Sequence, residues 1–331
     1  MKASKLYPLK LSDVFHEKIW GGQRLREICG KNIPRGKKIG ESWDVCDYQT
    51  EVSVVREGAY EGTTIRKLLQ AMPEDLLGPQ VAKKYGPTLP LLFKFIDAND
   101  VISVQVHPDD QHAALHHHED NGKAEGWHVL HADTGAKLIL GFKSETTHEE
   151  LGACIKAGDV SRCLNWISVK KGDVIYLPPG TVHAIGPGII IAEIQETSDL
   201  TCRLYDWDRM GEDGKPRALH VEEALDVIDF AANHGAKEKP KRISKSRLRL
   251  IECDKFVYEK LDVGKRAVRV GGTGSFEILS AIGGAGVLTW PKGEMPMALG
   301  ETILLPACIG PCSLGSDNGM EVLRSYCPVP G

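Results

Sequence analysis

The feature that most limits what this chain can fold into is a weak internal repeat. Gly172-Asp173-Val174-Ile175-Tyr176-Leu177-Pro178 is echoed by Gly300-Glu301-Thr302-Ile303-Leu304-Leu305-Pro306, each after an irregular Gly- or Lys-rich turn. Both read as glycine, acid, strand, proline, the mark of a structural unit used twice. In a double-stranded β-helix, or jelly roll, a Gly-acid turn starts a strand and a proline ends it at the barrel mouth, where side chains converge on a ligand. Composition agrees with many short strands joined by tight turns: of 331 residues 35 are Gly, 18 are Pro and only 6% are aromatic, while 42% are apolar, enough for a substantial core.

Two such modules predict a mainly β fold, a bicupin of two jelly-roll barrels with short helices inserted in the N-terminal half. Leu68, Leu69, Leu76, Leu77 and Val81 fall at helical spacing between 62 and 85, broken at Pro73 and at Gly78-Pro79, which predicts two short helices; a Glu, Leu and Ala pattern predicts another over 146–158. Strands are expected at 91–96, 101–107, 137–142, 167–169, 173–177 and 189–195. The basic stretch 237–249, with Pro240 inside it, reads as a solvated linker between a domain over 1–236 and a smaller one over 250–331. The repeat is unequal. His183 stands eleven residues after Gly172, and Pro311 stands eleven after Gly300, so only the first barrel is expected to hold a metal.

Net charge is −4, and the basic cluster before Leu250 is too short to neutralise a run of phosphates, so no nucleic-acid partner is expected. No apolar run approaches the roughly 20 residues that span a bilayer, and no signal-like stretch follows Met1, so a cytoplasmic protein without membrane contact is expected. Nine cysteines without a CxxC pair read as mostly buried thiols.

Three short pieces carry chemistry. In Gln105-Val106-His107-Pro108 the amide and the imidazole are two apart on a strand and so share a face. Lys123-Ala124-Glu125 gives an ammonium and a carboxylate, again two apart, and Pro179-Gly180-Thr181-Val182-His183 adds a second imidazole just past a strand end. Two imidazoles, a carboxylate and an amide oxygen form a borderline N/O donor set that suits a catalytic Zn2+ with one position open; it also suits non-haem Fe(II), and ligand type alone does not choose. His112, His116, His117, His118, His128 and His131 crowd the same region and read as a solvated segment beside the site.

The run from Pro90 through Ile96-Asp97-Ala98-Asn99-Asp100 to Gln105-Val106-His107-Pro108-Asp109-Asp110 closely resembles the type I mannose-6-phosphate isomerases. Ile19-Trp20-Gly21-Gly22, Gly40-Glu41-Ser42-Trp43, Lys123-Ala124-Glu125-Gly126-Trp127 and Pro179-Gly180-Thr181-Val182-His183-Ala184 join it, so the likeness spans about 7–230, with the C-terminal barrel similar only in outline. The resemblance implies one zinc per chain on Gln105, His107, Glu125 and His183, and a sugar-phosphate substrate, interconverted between mannose 6-phosphate and fructose 6-phosphate through an enediol or enediolate, by a monomer or weak homodimer. Glu193 to Trp207 is similar to the segment that carries the family's active-site arginine, here Arg203; the family's short members often have Tyr where this chain has Cys202. On this reading Arg203 places a fixed cation beside the reacting oxygens, and Lys123 acts on the phosphate or in proton transfer. The alternatives are a surface ion pair of Lys123 with Glu119 or Asp120 and a structural one of Arg203 with Asp199 or Asp206. Two rival functions share the pocket: a non-catalytic sugar-binding cupin and an Fe(II) cupin oxygenase.

Overall fold

The computed structural model describes residues 6–117, 120–143, 146–211, 214–231 and 236–329. Beside a small two-stranded sheet of Asp47–Tyr48 and Glu51–Val52, the N-terminal half is built mainly from two antiparallel sheets. One orders the strands Val174–Leu177, Glu125–Ala132, Ile189–Glu196, Leu91–Ala98, Ile39–Val45 and Val14–Gly22; the other orders Leu164–Ser168, Lys137–Phe142, His183–Ile185, Val104–Val106 and Cys202–Tyr205.

Strands Leu91–Ala98 and Ile189–Glu196 are buried at every position. Covered on both faces, they lack the polar alternation of a half-solvated strand. Period two still sorts their side chains. Leu91, Phe93, Phe95, Ile190, Ala192 and Ile194 join a core shared with Ile65, Leu68 and Leu76 of the inserted helices and with Leu250, Phe256, Ile278 and Leu304 of the C-terminal half. The opposite face carries Lys94 and Ile96 toward the barrel interior, where both line the central cavity with Glu193.

The insertion between 62 and 85 forms three helices, Ile65–Ala71, Pro73–Leu77 and Pro79–Tyr85, where two were expected. Thr64 supplies the additional start by accepting a hydrogen bond from the Lys67 amide, while Pro73 and Pro79 each open a helix at its first position. The helix expected over 146–158 is His148–Lys156, capped by Thr147. The histidine segment also holds a helix, Asp110–His116, because Asp109 accepts from the His112 amide at 2.8 Å.

The C-terminal half is organised on one long strand, Glu277–Trp290, which pairs with Thr302–Leu305, Met320–Tyr326, Gly293–Ala298 and Cys312–Gly315. Both copies of the repeat behave alike locally. Gly172 and Gly300 take positive φ (92° and 86°) and lead into the strands Val174–Leu177 and Thr302–Leu305. At Gly300 a side chain would also collide with the Cys29 carbonyl oxygen at 2.4 Å.

Two features depart from a purely sequential division. Strand Leu9–Lys10 pairs with Ile303 and Leu304 of the C-terminal sheet. The stretch 237–249, expected as a linker, contains strand Lys241–Ser244 and the first half of Arg247–Glu252, which continue that sheet at its edge. All four residues of Lys241–Ser244 are exposed, so polarity there marks a protected sheet edge rather than an unstructured connection. All nine cysteines are free, seven of them buried. No helix among the described residues is long and apolar enough to cross a membrane.

Candidate metal centre

Register puts the site together. Strand Val104–Val106 lies between His183–Ile185 and Cys202–Tyr205, and Gln105 has His183 directly opposite on one side and Arg203 on the other. Three side chains from distant segments thus stand in a row across one sheet. Glu125 opens a strand of the facing sheet, and His107 follows Gln105 on the same face.

The donors converge. Gln105 Nε2 lies 3.4 Å from His107 Nε2 and 3.3 Å from His183 Nε2. Glu125 Oε1 is 3.3 Å from His107 Nε2, and its Oε2 is 3.6 Å from His183 Nε2. Each imidazole is fixed from behind, by Nδ1 contacts to the carbonyl oxygens of Leu200 (2.7 Å) and Thr181 (2.9 Å). A backbone carbonyl accepts only, so Nδ1 carries the proton and each Nε2 presents a lone pair to the same point.

Burial pushes the His107 pKa down to about 3, with the Lys123 ammonium adding to it, and burial likewise lowers His183. Both are therefore neutral ligands at neutral pH. Burial alone would raise Glu125, but the neighbouring Lys123 cation holds it well below the usual carboxylate range. Glu125 Oε2 is buried without a hydrogen-bond partner, a costly state for a carboxylate oxygen. An anionic oxygen with an open lone pair facing two neutral Nε2 atoms fits a divalent cation, and the N/O set fits zinc. The Gln105 amide turns its nitrogen to this point while its oxygen accepts from the Ser103 hydroxyl at 3.3 Å; an amide flip would present the oxygen, the atom that would serve as ligand.

Lys123 is nearly fully buried, with its Nζ 2.6 Å from Glu125 Oε1 and 3.1 Å from His107 Nε2. The alternative partner Asp120 instead accepts from the Tyr48 hydroxyl at 2.8 Å; Glu119 and His118 lie outside the described residues. Arg203 is half-buried and its guanidinium meets neutral partners, Ser103 Oγ at 3.4 Å and the Ala218 carbonyl at 2.8 Å. Asp206, an alternative partner of Arg203, is engaged by Arg209 (2.6 Å) and Arg217 (2.5 Å). Burial lowers the Arg203 pKa, and Arg217 adds to that.

These groups face a cavity of about 300 Å3 whose lining includes the cations Lys18, Lys94, Lys123, Arg203 and Arg217 and the carboxylates Glu41, Glu125, Glu193 and Asp199. Sequence reasoning found Lys123, Glu125 and Arg203 there but assigned no role to Lys94, Glu193 or Arg217. Lys94 and Glu193 each carried a usable signal, a charge inside an otherwise apolar run, 91–96 and 189–194. They pair at 3.1 Å, and burial, followed by repulsion from Glu125, raises Glu193 to about 7.

Facing antiparallel sheets that bring two anchored imidazoles, a carboxylate and an amide to one buried point define a cupin-like metal-binding protein. Residues 8–142 match the family described as phosphomannose isomerase type I, catalytic domain. A mannose-6-phosphate isomerase of Streptococcus mutans is 38% identical over 322 residues, 96% of this chain and 98% of that protein. The chain belongs to the type I phosphomannose isomerase family. The solved mannose 6-phosphate isomerase of Bacillus subtilis superposes with a TM-score of 0.87 at 30% identity, over 96% of this chain and 99% of that one. A zinc-bound mannose 6-phosphate isomerase, 19% identical, shares the fold with a TM-score of 0.78 over 97% of this chain and 100% of that one.

Proposed function

We propose that this chain is a zinc-dependent aldose–ketose isomerase that interconverts mannose 6-phosphate and fructose 6-phosphate. The observation that carries this reading is the convergence of His107, Glu125 and His183 on one buried point inside a cavity lined with cations. Gln105, His107, Glu125 and His183 would hold one zinc, which when bound supplies a Lewis acid for the sugar's carbonyl and hydroxyl oxygens.

The chain's own groups account for the rest. Isomerisation removes a proton from one of the two carbons C1 and C2, returns one to the other, and leaves negative charge on oxygen between the two steps. Arg203 has no carboxylate partner among the described residues, so its charge is available to that oxygen, and its neutral partners fix it in place before the reaction. Glu193, near neutrality in pKa, matches the requirement of a group that takes and gives a proton at physiological pH. Lys123 lies between the metal donors and holds Glu125 ionised. Lys18 and Arg217, more exposed than Lys94 and Lys123, suit the phosphate end of the substrate. Fixed cations for a phosphate favour this reading over an Fe(II) oxygenase, which needs none.

The N-terminal barrel over 1–236 is the metal-holding unit and 250–331 its structural partner, in a cytoplasmic monomer or weak homodimer that binds no nucleic acid. His183→Ala should remove most zinc by elemental analysis and abolish conversion of mannose 6-phosphate. Full metal occupancy in that variant would overturn the ligand assignment.

A further inference from the structure

We propose a second, weaker divalent-cation site, of the zinc class, formed by His112, His117 and Glu223 on the outside of the barrel. His112 lies in helix Asp110–His116, His117 is the residue that ends that helix, and Glu223 lies in helix Val221–Val227. The donor atoms of the three all lie within 4.8 Å of one another. His117 Nε2 contacts Glu223 Oε1, and His112 Nε2 approaches the same oxygen at 3.7 Å. Tetrahedral zinc places neighbouring donors about 3.4 Å apart, so small side-chain rotations close the set.

Two further observations point to a ligand. His112 Nε2 is buried without a hydrogen-bond partner although it faces the cluster. The Cys202 thiol also donates to the Glu223 carboxylate, which orients the oxygen from behind as an outer partner does in a metal site. The three side chains are between 20% and 31% exposed, which leaves room for water as a fourth ligand and makes the site weaker than the buried one.

Occupancy would clamp the two helices together. His220, which precedes Val221–Val227, is hydrogen-bonded to the Arg203 main chain in both directions, its amide donating to the Arg203 carbonyl at 2.8 Å and its Nδ1 accepting from the Arg203 amide at 3.2 Å. The cation therefore stiffens the support of the strand that carries Arg203.

The test is equilibrium dialysis of the zinc-loaded enzyme against rising free zinc, with ions per chain counted by elemental analysis and thermal midpoint recorded at each step. Wild type should gain one further ion per chain together with a rise in midpoint. The double variant His112→Gln, His117→Gln should keep wild-type activity at low zinc but gain neither, whereas His116→Gln should still gain both. Glu223→Gln provides a second route should the double variant fold poorly, and it too should lose the added ion. Because the readout is the difference between variants, it stands whatever the barrel site holds. A wild type that gains no ion, or a double variant or Glu223→Gln that gains it fully, would reduce the cluster to a hydrogen-bonded clasp and overturn the proposal.

Discussion

Arg203 and Glu193 occupy the same cavity under opposite constraints. Arg203 is held by a hydroxyl and a carbonyl, which position it without neutralising it. Arg203→Ala should therefore lower turnover by about 10²-fold or more while zinc content stays unchanged, the scale of losing one preorganised donor. Lys at 203 should restore only part of the rate, since it keeps the charge without the planar fork. Normal turnover with a strongly raised Michaelis constant would make Arg203 a phosphate anchor instead. Glu193→Gln keeps the shape but cannot exchange the proton, so it should depress kcat across the whole pH range and leave zinc in place; a variant as active as wild type would remove Glu193 from the reaction. The residues with short-range spacing were readable in the sequence. Gln105 and His107 share a face two positions apart, as Lys123 and Glu125 were expected to do. Lys94 and Glu193 were legible as charges inside apolar strand runs, whereas Arg217 was not, because it reaches the cavity from an irregular segment where no spacing marks it.

The strand pairings carry the site and the join between the two halves. Lys31, following helix Leu25–Cys29, is almost fully buried, and its ammonium pairs with Asp13 at 3.0 Å and with Asp44, and donates to the Gly300 carbonyl at 2.7 Å. Lys31→Met would strand the buried Asp44 carboxylate and should cost about 3–5 kcal/mol, measured by denaturant unfolding, with zinc content preserved in the folded fraction. A loss under about 1 kcal/mol would show that Thr302 (2.6 Å) and Ser42 (2.8 Å), which also donate to Asp44, satisfy it without Lys31. Strands with strong apolar runs, such as Leu91–Ala98 and Ile189–Glu196, were legible to within two residues. Lys241–Ser244 was read as linker because an exposed edge strand has the composition of one. The third helix of the insertion was missed because its start rests on one threonine cap rather than on a break in the hydrophobic period.

At the scale of the whole molecule, the repeat at Gly172 and Gly300 led to the mainly β architecture, and its inequality at His183 and Pro311 assigned the metal to one half. It did not show that Leu9–Lys10 closes the C-terminal sheet, since a two-residue strand leaves no periodic trace. Among the described residues both groups of metal-capable side chains lie before residue 236. The central claim, a zinc-dependent isomerase of mannose 6-phosphate in the N-terminal barrel, is tested most directly by a coupled assay for fructose 6-phosphate formed from mannose 6-phosphate, run on the purified enzyme, after complete chelation, and after return of one equivalent of zinc. Activity should be present, fall to background on chelation, and return with the first equivalent. Full activity in demonstrably metal-free enzyme, or zinc-loaded enzyme that leaves mannose 6-phosphate unchanged, would contradict it.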